Sequence, residues 1–185
     1  MESKQSLIDR AKKIKGLICD IDGVLTNGEI YIENNGNEMR VFHTQDVVGI
    51  QMLMSVGLKL AVITTSGDDV ISHRMKQMGI DTYFAGQVDK RKAYELIQDQ
   101  LKFKDDEFAY IGDDISDLSL IKKVGLGVTV PNAVPAVLEA AHWTTHKEGG
   151  KGAVRELCEF ILNSQNKGAQ AVERYLAAGS KPAKE

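Results

Sequence analysis

The stretch Leu17-Ile18-Cys19-Asp20-Ile21-Asp22-Gly23 constrains the fold more than any other part of the chain. Three apolar residues break directly into two carboxylates spaced one residue apart and then a glycine. A short continuous apolar run bounded by turn residues suits a strand of a parallel sheet buried on both faces, which in turn requires helices above and below it. Ligand sites in such sheets lie beyond the carboxyl ends of the strands, where Asp20 and Asp22 project. Because a strand alternates faces, the two carboxylates point the same way while Ile21 points into the core. At ~4 Å such a pair repels by roughly 4 kcal/mol at an effective dielectric of 20, so either a hard cation binds there or one carboxyl is protonated. The plainer alternative is a turn made by Asp22-Gly23 and capped by Asp20.

The remaining chain repeats the same strand-then-helix grammar. Ser3 to Lys13 predicts a short lead-in helix. Gly28 to His43 predicts a projecting β-hairpin, with alternating residues on either side of Asn34-Asn35-Gly36-Asn37. Asp46 is expected to cap a helix over Val47 to Val56, closed by Gly57. Lys59 to Ile63 is a second buried strand ending in Thr64-Thr65-Ser66-Gly67. Asp68 and Asp69 suit the first turn of a helix over Val70 to Met78, and Ile80 to Phe84 gives a third strand. Asp89 caps a helix that carries Ala93, Leu96, Ile97 and Leu101 on one stripe, with Lys90 in its first turn. Phe108 to Ile111 runs as a strand into Gly112-Asp113-Asp114-Ile115-Ser116-Asp117 and a helix to Val124. Gly127 to Val130, Ala133 to Ala140, Trp143 and Ala153 to Leu162 read as strand, helix, short strand and final helix. The pattern predicts a three-layer, doubly wound (Rossmann-like) α/β fold on a mainly parallel sheet.

Bulk properties exclude several classes. A chain of 185 residues that is 43% hydrophobic makes one ordinary domain with a real core. A net charge of −3 gives no basic surface for nucleic acid. No run of eighteen apolar residues predicts a membrane span, and the charged start from Met1 to Lys15 has no signal-peptide core, so a soluble, cytoplasmic protein is expected. Cys19 and Cys158 read as buried small hydrophobes. His142 and His146 lack the glutamate of a zinc helix, Gly149-Gly150-Lys151-Gly152 lacks phosphate-loop spacing, and Met52, Met54, Met75 and Met78 read as core filling.

In a doubly wound sheet the carboxyl ends of neighbouring strands lie side by side, so Asp20 and Asp22, Thr64, and Asp113, Asp114 and Asp117 converge, with Lys90 opening an adjacent helix. In that order these residues resemble the four motifs of the haloacid dehalogenase superfamily of phosphohydrolases, over roughly Lys15 to Leu162. More narrowly the chain is similar to the 3-deoxy-D-manno-octulosonate 8-phosphate (KDO 8-phosphate) phosphatases. It shares Asp20-Ile-Asp-Gly-Val-Leu-Thr26, the Tyr31-Ile-Glu-Asn-Asn-Gly36 hairpin, Asp46 with Gly49-Ile50, Asp89-Lys90, Tyr110-Ile-Gly-Asp-Asp114 and Gly149-Gly-Lys-Gly-Ala-Val-Arg-Glu156. It departs where that family usually reads Ile-Thr-Gly-Arg, having Ile63-Thr64-Thr65-Ser66, and where it reads Asp-Gly-Tyr-Gly, having Asp46-Val47-Val48-Gly49.

The resemblance implies a capless phosphatase domain over residues 1–165, with 166–185 as a tail that is helical at first and then mobile. It implies Mg²⁺ held by Asp20, the Asp22 carbonyl and Asp113, with Asp114 and Asp117 orienting bound waters. Asp20 would be the nucleophile and Asp22 the proton donor and acceptor, while Thr64 and Lys90 donate to the phosphoryl oxygens. Asp46, Thr65, Ser66, Lys151 and Arg155 are candidates for contact with a sugar acid phosphate. Similar phosphatases are tetramers joined through the hairpin, which hides its open strand edges. Relatives acting on nine-carbon nonulosonate 9-phosphates share most of these motifs. Related domains that keep the fold chiefly for tetramerisation form a third reading.

Overall fold

The computed structural model describes residues 3–67 and 69–179. Asp68 and the last residues of the tail lie outside that range. The elements, in chain order, are α1 (Lys4–Lys13), β1 (Gly16–Cys19), β2 (Tyr31–Ile32), β3 (Glu38–Met39), α2 (Thr44–Ser55), β4 (Lys59–Ile63), α3 (Asp69–Met78), β5 (Tyr83–Phe84) and α4 (Lys90–Leu101). They continue with β6 (Phe108–Ile111), α5 (Leu118–Lys123), β7 (Leu126–Thr129), α6 (Pro135–Ala140), β8 (Trp143–Thr144), α7 (Ala153–Ser164) and α8 (Gly168–Gly179). Six strands form one sheet in the order β5-β4-β1-β6-β7-β8, and every pairing in it is parallel.

The strand carrying Leu17 and Ile18 sits at the centre because it can be buried on all sides. Gly16 stands opposite Lys59 on one flank and Phe108 on the other. All of β1, β6 and β7 is buried, so both sheet faces are covered. One helix group, α1, α2, α7 and α8, packs together, and a second, α4, α5 and α6, packs separately. The main core runs continuously from Ala11 to Ile161. Among the described residues no helix is long and apolar enough to cross a membrane.

Several expectations are corrected. The third strand is only Tyr83–Phe84, because Ile80 folds back as the stop of α3, its N–H donating to Met75 O at 2.9 Å. Leu96 is 57% exposed, since Lys90, Ala93, Tyr94 and Ile97 form the inner face of α4. The helix after the first hairpin begins at Thr44, so Asp46 lies inside its first turn and does not cap it. The Asp46 carboxylate instead accepts from Arg155 N at 2.7 Å and so caps α7, 109 residues away. The hairpin forms, with only two paired positions, Tyr31 with Met39 and Ile32 with Glu38. Cys19 and Cys158 are both buried, Met75 and Met78 lie in the core, and His142 Nδ1 accepts from Gly127 N at 2.8 Å. The tail is helical through Gly179 and packs on α2 and α7, with Ala171 buried.

Candidate active site

The carboxyl ends of β1, β4 and β6 deliver the chemistry to one edge of the sheet. Asp20 follows β1 directly, its N–H donating to Ile111 O at 3.0 Å, which fixes it against the exit of β6. The loop that carries Asp22 is then locked from within: Thr26 Oγ1 accepts from Gly23 N at 3.3 Å and from Gly28 N at 3.2 Å. From behind, Gly150 N donates to Val24 O at 2.9 Å, and Gly149 comes so close that a Cβ there would sit 1.7 Å from Gly23 O. The Gly149-Gly150 pair is therefore a packing device for the Asp20 loop. On the inner side, Gly23 has φ +83°, and a Cβ on it would meet Asp113 Oδ2 at 2.0 Å. Only glycine fits between these carboxylates.

Lys90 is fully buried at the start of α4, and its ammonium bridges Asp20 Oδ1 at 2.9 Å and Asp117 Oδ1 at 2.6 Å. Asp117 also accepts from Tyr110 Oη at 2.5 Å and from the N–H groups of Asp113 and Asp114 at 3.0 and 3.1 Å. Four donors thus occupy its two oxygens, so Asp117 is an anchor that orients its neighbours. Asp22 is held by Arg40 Nε at 2.8 Å and by Ser66 Oγ at 2.5 Å. Thr64 is fully buried at the exit of β4 and accepts from Ser66 N at 3.2 Å.

Crowding sets the protonation. Burial first, and then the charge of Asp117, push the Asp20 carboxyl up to about 8 against the pull of Lys90. Burial, Asp117 and Asp114 push Asp113 up to about 7. Burial alone would lower the Lys90 ammonium, but Asp20 and Asp117 outweigh it and hold it above its ordinary value. One carboxylate oxygen from each of Asp20, Asp113 and Asp117 lies within 4.8 Å of the others. Asp113 Oδ1 is buried with no hydrogen-bond partner among the described residues. Oxygen-only donors, mutual repulsion and an orphaned carboxylate oxygen fit a hard divalent cation such as Mg²⁺.

Other sequence candidates lie apart. Asp114 is exposed and accepts from Ile115 N at 2.7 Å, capping the turn before α5. Thr65 and Lys151 are exposed. Asp46 is buried at the α2–α7 contact, and burial raises its carboxyl above the ordinary range. Arg155 pairs with Glu159 at 2.7 Å and lines a groove of about 360 Å³ with Gln45, His146 and Lys147. Sequence reasoning missed Arg40 and Tyr110. A signal for Tyr110 existed, since a tyrosine in an all-apolar strand needs a partner for its hydroxyl.

A parallel sheet with an acidic crevice at its carboxyl edge, a buried lysine and, among the described residues, no inserted cap defines a haloacid dehalogenase-type hydrolase. In agreement, residues 68–157 match the family model described as haloacid dehalogenase-like hydrolase. The 3-deoxy-D-manno-octulosonate 8-phosphate phosphatase KdsC of Yersinia pestis is 40% identical over 161 residues, covering 87% of this chain and 86% of its own length. A structure from Legionella pneumophila, assigned to the haloacid dehalogenase superfamily (subfamily III A), superposes with a TM-score of 0.93 at 56% identity, covering 94% of this chain and 95% of that one. The 3-deoxy-D-manno-octulosonate 8-phosphate phosphatase of Moraxella catarrhalis, solved with magnesium, phosphate and KDO, gives a TM-score of 0.90 at 35% identity, covering 94% and 99%. This chain belongs to the 3-deoxy-D-manno-octulosonate 8-phosphate phosphatase family.

Proposed function

We propose that the chain is a Mg²⁺-dependent phosphomonoesterase that hydrolyses KDO 8-phosphate to KDO and inorganic phosphate. The observation that carries this reading is the convergence of Asp20, Asp113 and Asp117, with a buried Asp113 oxygen that has no hydrogen-bond partner among the described residues. Family membership and the Moraxella relative crystallised with magnesium, phosphate and KDO support it.

Asp20 and Asp113, with the Asp22 carbonyl, would hold the cation, which when bound neutralises the site so that a dianionic phosphate can approach. Lys90, pinned by Asp117, presents its ammonium beside Asp20 and stabilises charge on the phosphoryl oxygens, a task Thr64 shares. An Asp20 carboxylate oxygen attacks phosphorus and the ester P–O bond breaks, the leaving sugar oxygen taking the proton of Asp22. A water then gives a proton to Asp22 and attacks phosphorus, breaking the bond to Asp20 and releasing phosphate. Splitting the reaction divides a barrier that is otherwise among the largest known for hydrolysis.

The reading includes a homotetramer. The hairpin exposes Ile30, Tyr31, Ile32, Met39 and Val41, with Ile32 at 70%. A two-pair hairpin with such a surface is marginal in water by itself and gains by packing against copies of itself. A light-scattering mass of one chain would exclude the tetramer. A cytoplasmic location belongs to the same reading, because a multiply charged sugar acid phosphate does not cross a bilayer unaided.

The experiment is phosphate release from KDO 8-phosphate with Mg²⁺ or chelator, using Asp20→Asn as the blank. Mg²⁺-dependent turnover that is abolished in a folded Asp20→Asn supports the reading. Turnover surviving in Asp20→Asn, or no release from the folded wild type, overturns it.

A further inference from the structure

The hairpin does more than offer an apolar surface: its root sends Arg40 back onto the loop of Asp20 and Asp22. The Arg40 side chain is 1% exposed, and Nε donates to Asp22 Oδ1 at 2.8 Å. Its Nη2 pairs with Glu38 Oε2 at 2.9 Å and reaches Ser66 Oγ at 3.4 Å. Ser66 Oγ in turn donates to Asp22 Oδ2. Each oxygen of the Asp22 carboxylate therefore has its own donor, one from the hairpin and one from the loop after β4.

We infer that Arg40 is a positioning residue for Asp22, acting with Ser66 to aim the carboxyl at the leaving oxygen of the substrate. The inference rests on the reading of Asp22 as proton donor and acceptor. Three observations support it. A guanidinium withdrawn from water to this extent is costly unless its charge is matched, and it is matched here at the acid–base carboxylate and at a glutamate of its own hairpin. The contact is directional, because the Nε–H of a planar guanidinium donates to Oδ1 along one line where an ammonium would only attract, and Ser66 Oγ holds Oδ2, so the two donors together fix the carboxylate plane. The hairpin root is itself tied to the loop by the bridge between Thr26 and Phe42, so Arg40 acts from a fixed base. In proton transfer an oxygen misplaced by about 1 Å can forfeit on the order of a hundredfold in rate.

Positioning of an acid has a chemical signature that mere folding support lacks. A sugar alkoxide is a poor leaving group and needs the proton of Asp22, whereas p-nitrophenolate departs without it. The experiment compares kcat and KM of full-length wild type, Arg40→Gln, Arg40→Lys, Ser66→Ala and Asp22→Asn. The substrates are KDO 8-phosphate and p-nitrophenyl phosphate, with saturating Mg²⁺. For Arg40→Gln the ratio of sugar-ester to aryl-ester kcat should fall about tenfold or more, in the direction of Asp22→Asn, with KM for the sugar ester changing less than kcat. Arg40→Lys should recover part of the ratio, and Ser66→Ala should shift it the same way. Adding Arg40→Gln to Asp22→Asn should lower the ratio no further. Equal losses on both substrates, or a rise in KM alone, would overturn the inference, the latter making Arg40 a substrate anchor. If Arg40→Gln does not fold, an unchanged ratio in Ser66→Ala is the refuting result. If wild type releases phosphate from neither ester, the phosphatase reading fails first, an outcome distinct from the loss of the ratio.

Discussion

Lys90 is the place where stability and chemistry meet, and Lys90→Met separates them. Methionine keeps most of the buried stem and removes the ammonium that bridges Asp20 at 2.9 Å and Asp117 at 2.6 Å. Removing one partner of a buried ion pair costs ~3–5 kcal/mol, mostly because the other charge is stranded. Asp117 keeps Tyr110 and two backbone N–H donors, so the penalty falls mainly on Asp20. That carboxyl already stands at about 8 through burial and the Asp117 charge, with Lys90 pulling it down, and without Lys90 it stands higher. An acid whose folded value is raised contributes stability below its ordinary range and loses it as pH rises through the folded value. The substitution should therefore cost ~3–4 kcal/mol at about pH 10, above the folded value of Asp20, and less than ~2 at about pH 6, where Asp20 keeps its proton with or without Lys90. Urea unfolding with chelator at both pH values, with an unchanged m-value, measures this. A cost independent of pH, or one below about 1 kcal/mol at the higher pH, would refute the assignment of Lys90 as counter-charge to Asp20.

Three further expectations follow from the same geometry. With Asp20 raised to about 8 and Asp113 to about 7, the metal-free fold should lose stability as pH rises from the ordinary carboxylate range to about 8. Because the cation takes the place of those protons, the rise in melting temperature on adding Mg²⁺ should grow over the same window, and a pH-independent increment in thermal scans would contradict this. Gly23→Ala puts a Cβ 2.0 Å from Asp113 Oδ2 at φ +83°, and should weaken Mg²⁺ binding about tenfold or more in a calorimetric titration; wild-type affinity would speak against Asp113 as a ligand. Asp46→Ala strips the α7 cap from Arg155 N and should cost ~1–3 kcal/mol in urea unfolding, Asp46→Asn costing less, whereas equal stability of all three would mean the cap is idle.

The parts of the site that could be read in advance are those whose partners are implied by strand ends. Asp20, Thr64 and Asp113 each follow a short apolar strand, and parallel pairing of β4, β1 and β6 brings those ends together whatever the loops do. Arg40 had no such signature. An arginine in an exposed, alternating hairpin looks like solubilising charge, and its partner lies 18 residues back on a loop whose path is set by tertiary packing. Asp46 shows the opposite failure. A capping residue type stood before an apolar helix, yet the N–H it serves belongs to α7, which no local pattern could reveal. Leu96 fitted a helical stripe, but Lys90 and Tyr94 took the inward face because Asp20, Asp117 and Asp105 give their polar ends partners there. The short β5 reflects competition, since the stop of α3 used the residues that would have lengthened it.

The glycine pair behind the Asp20 loop ties the geometry of an early segment of the chain to one far downstream. Asp20 and Asp22 follow β1, whose sheet neighbours are supplied by residues 59–63 and 108–111. The loop is backed by Gly149 and Gly150, and Gln165 Nε2 closes onto Ala11 O and Ile14 O, at 3.0 and 2.7 Å. Contacts between residues so distant in sequence close long loops and form slowly. The loop of Asp20 and Asp22 is thus held in place by segments that lie more than a hundred residues further along the chain, and its geometry depends on all of them being packed.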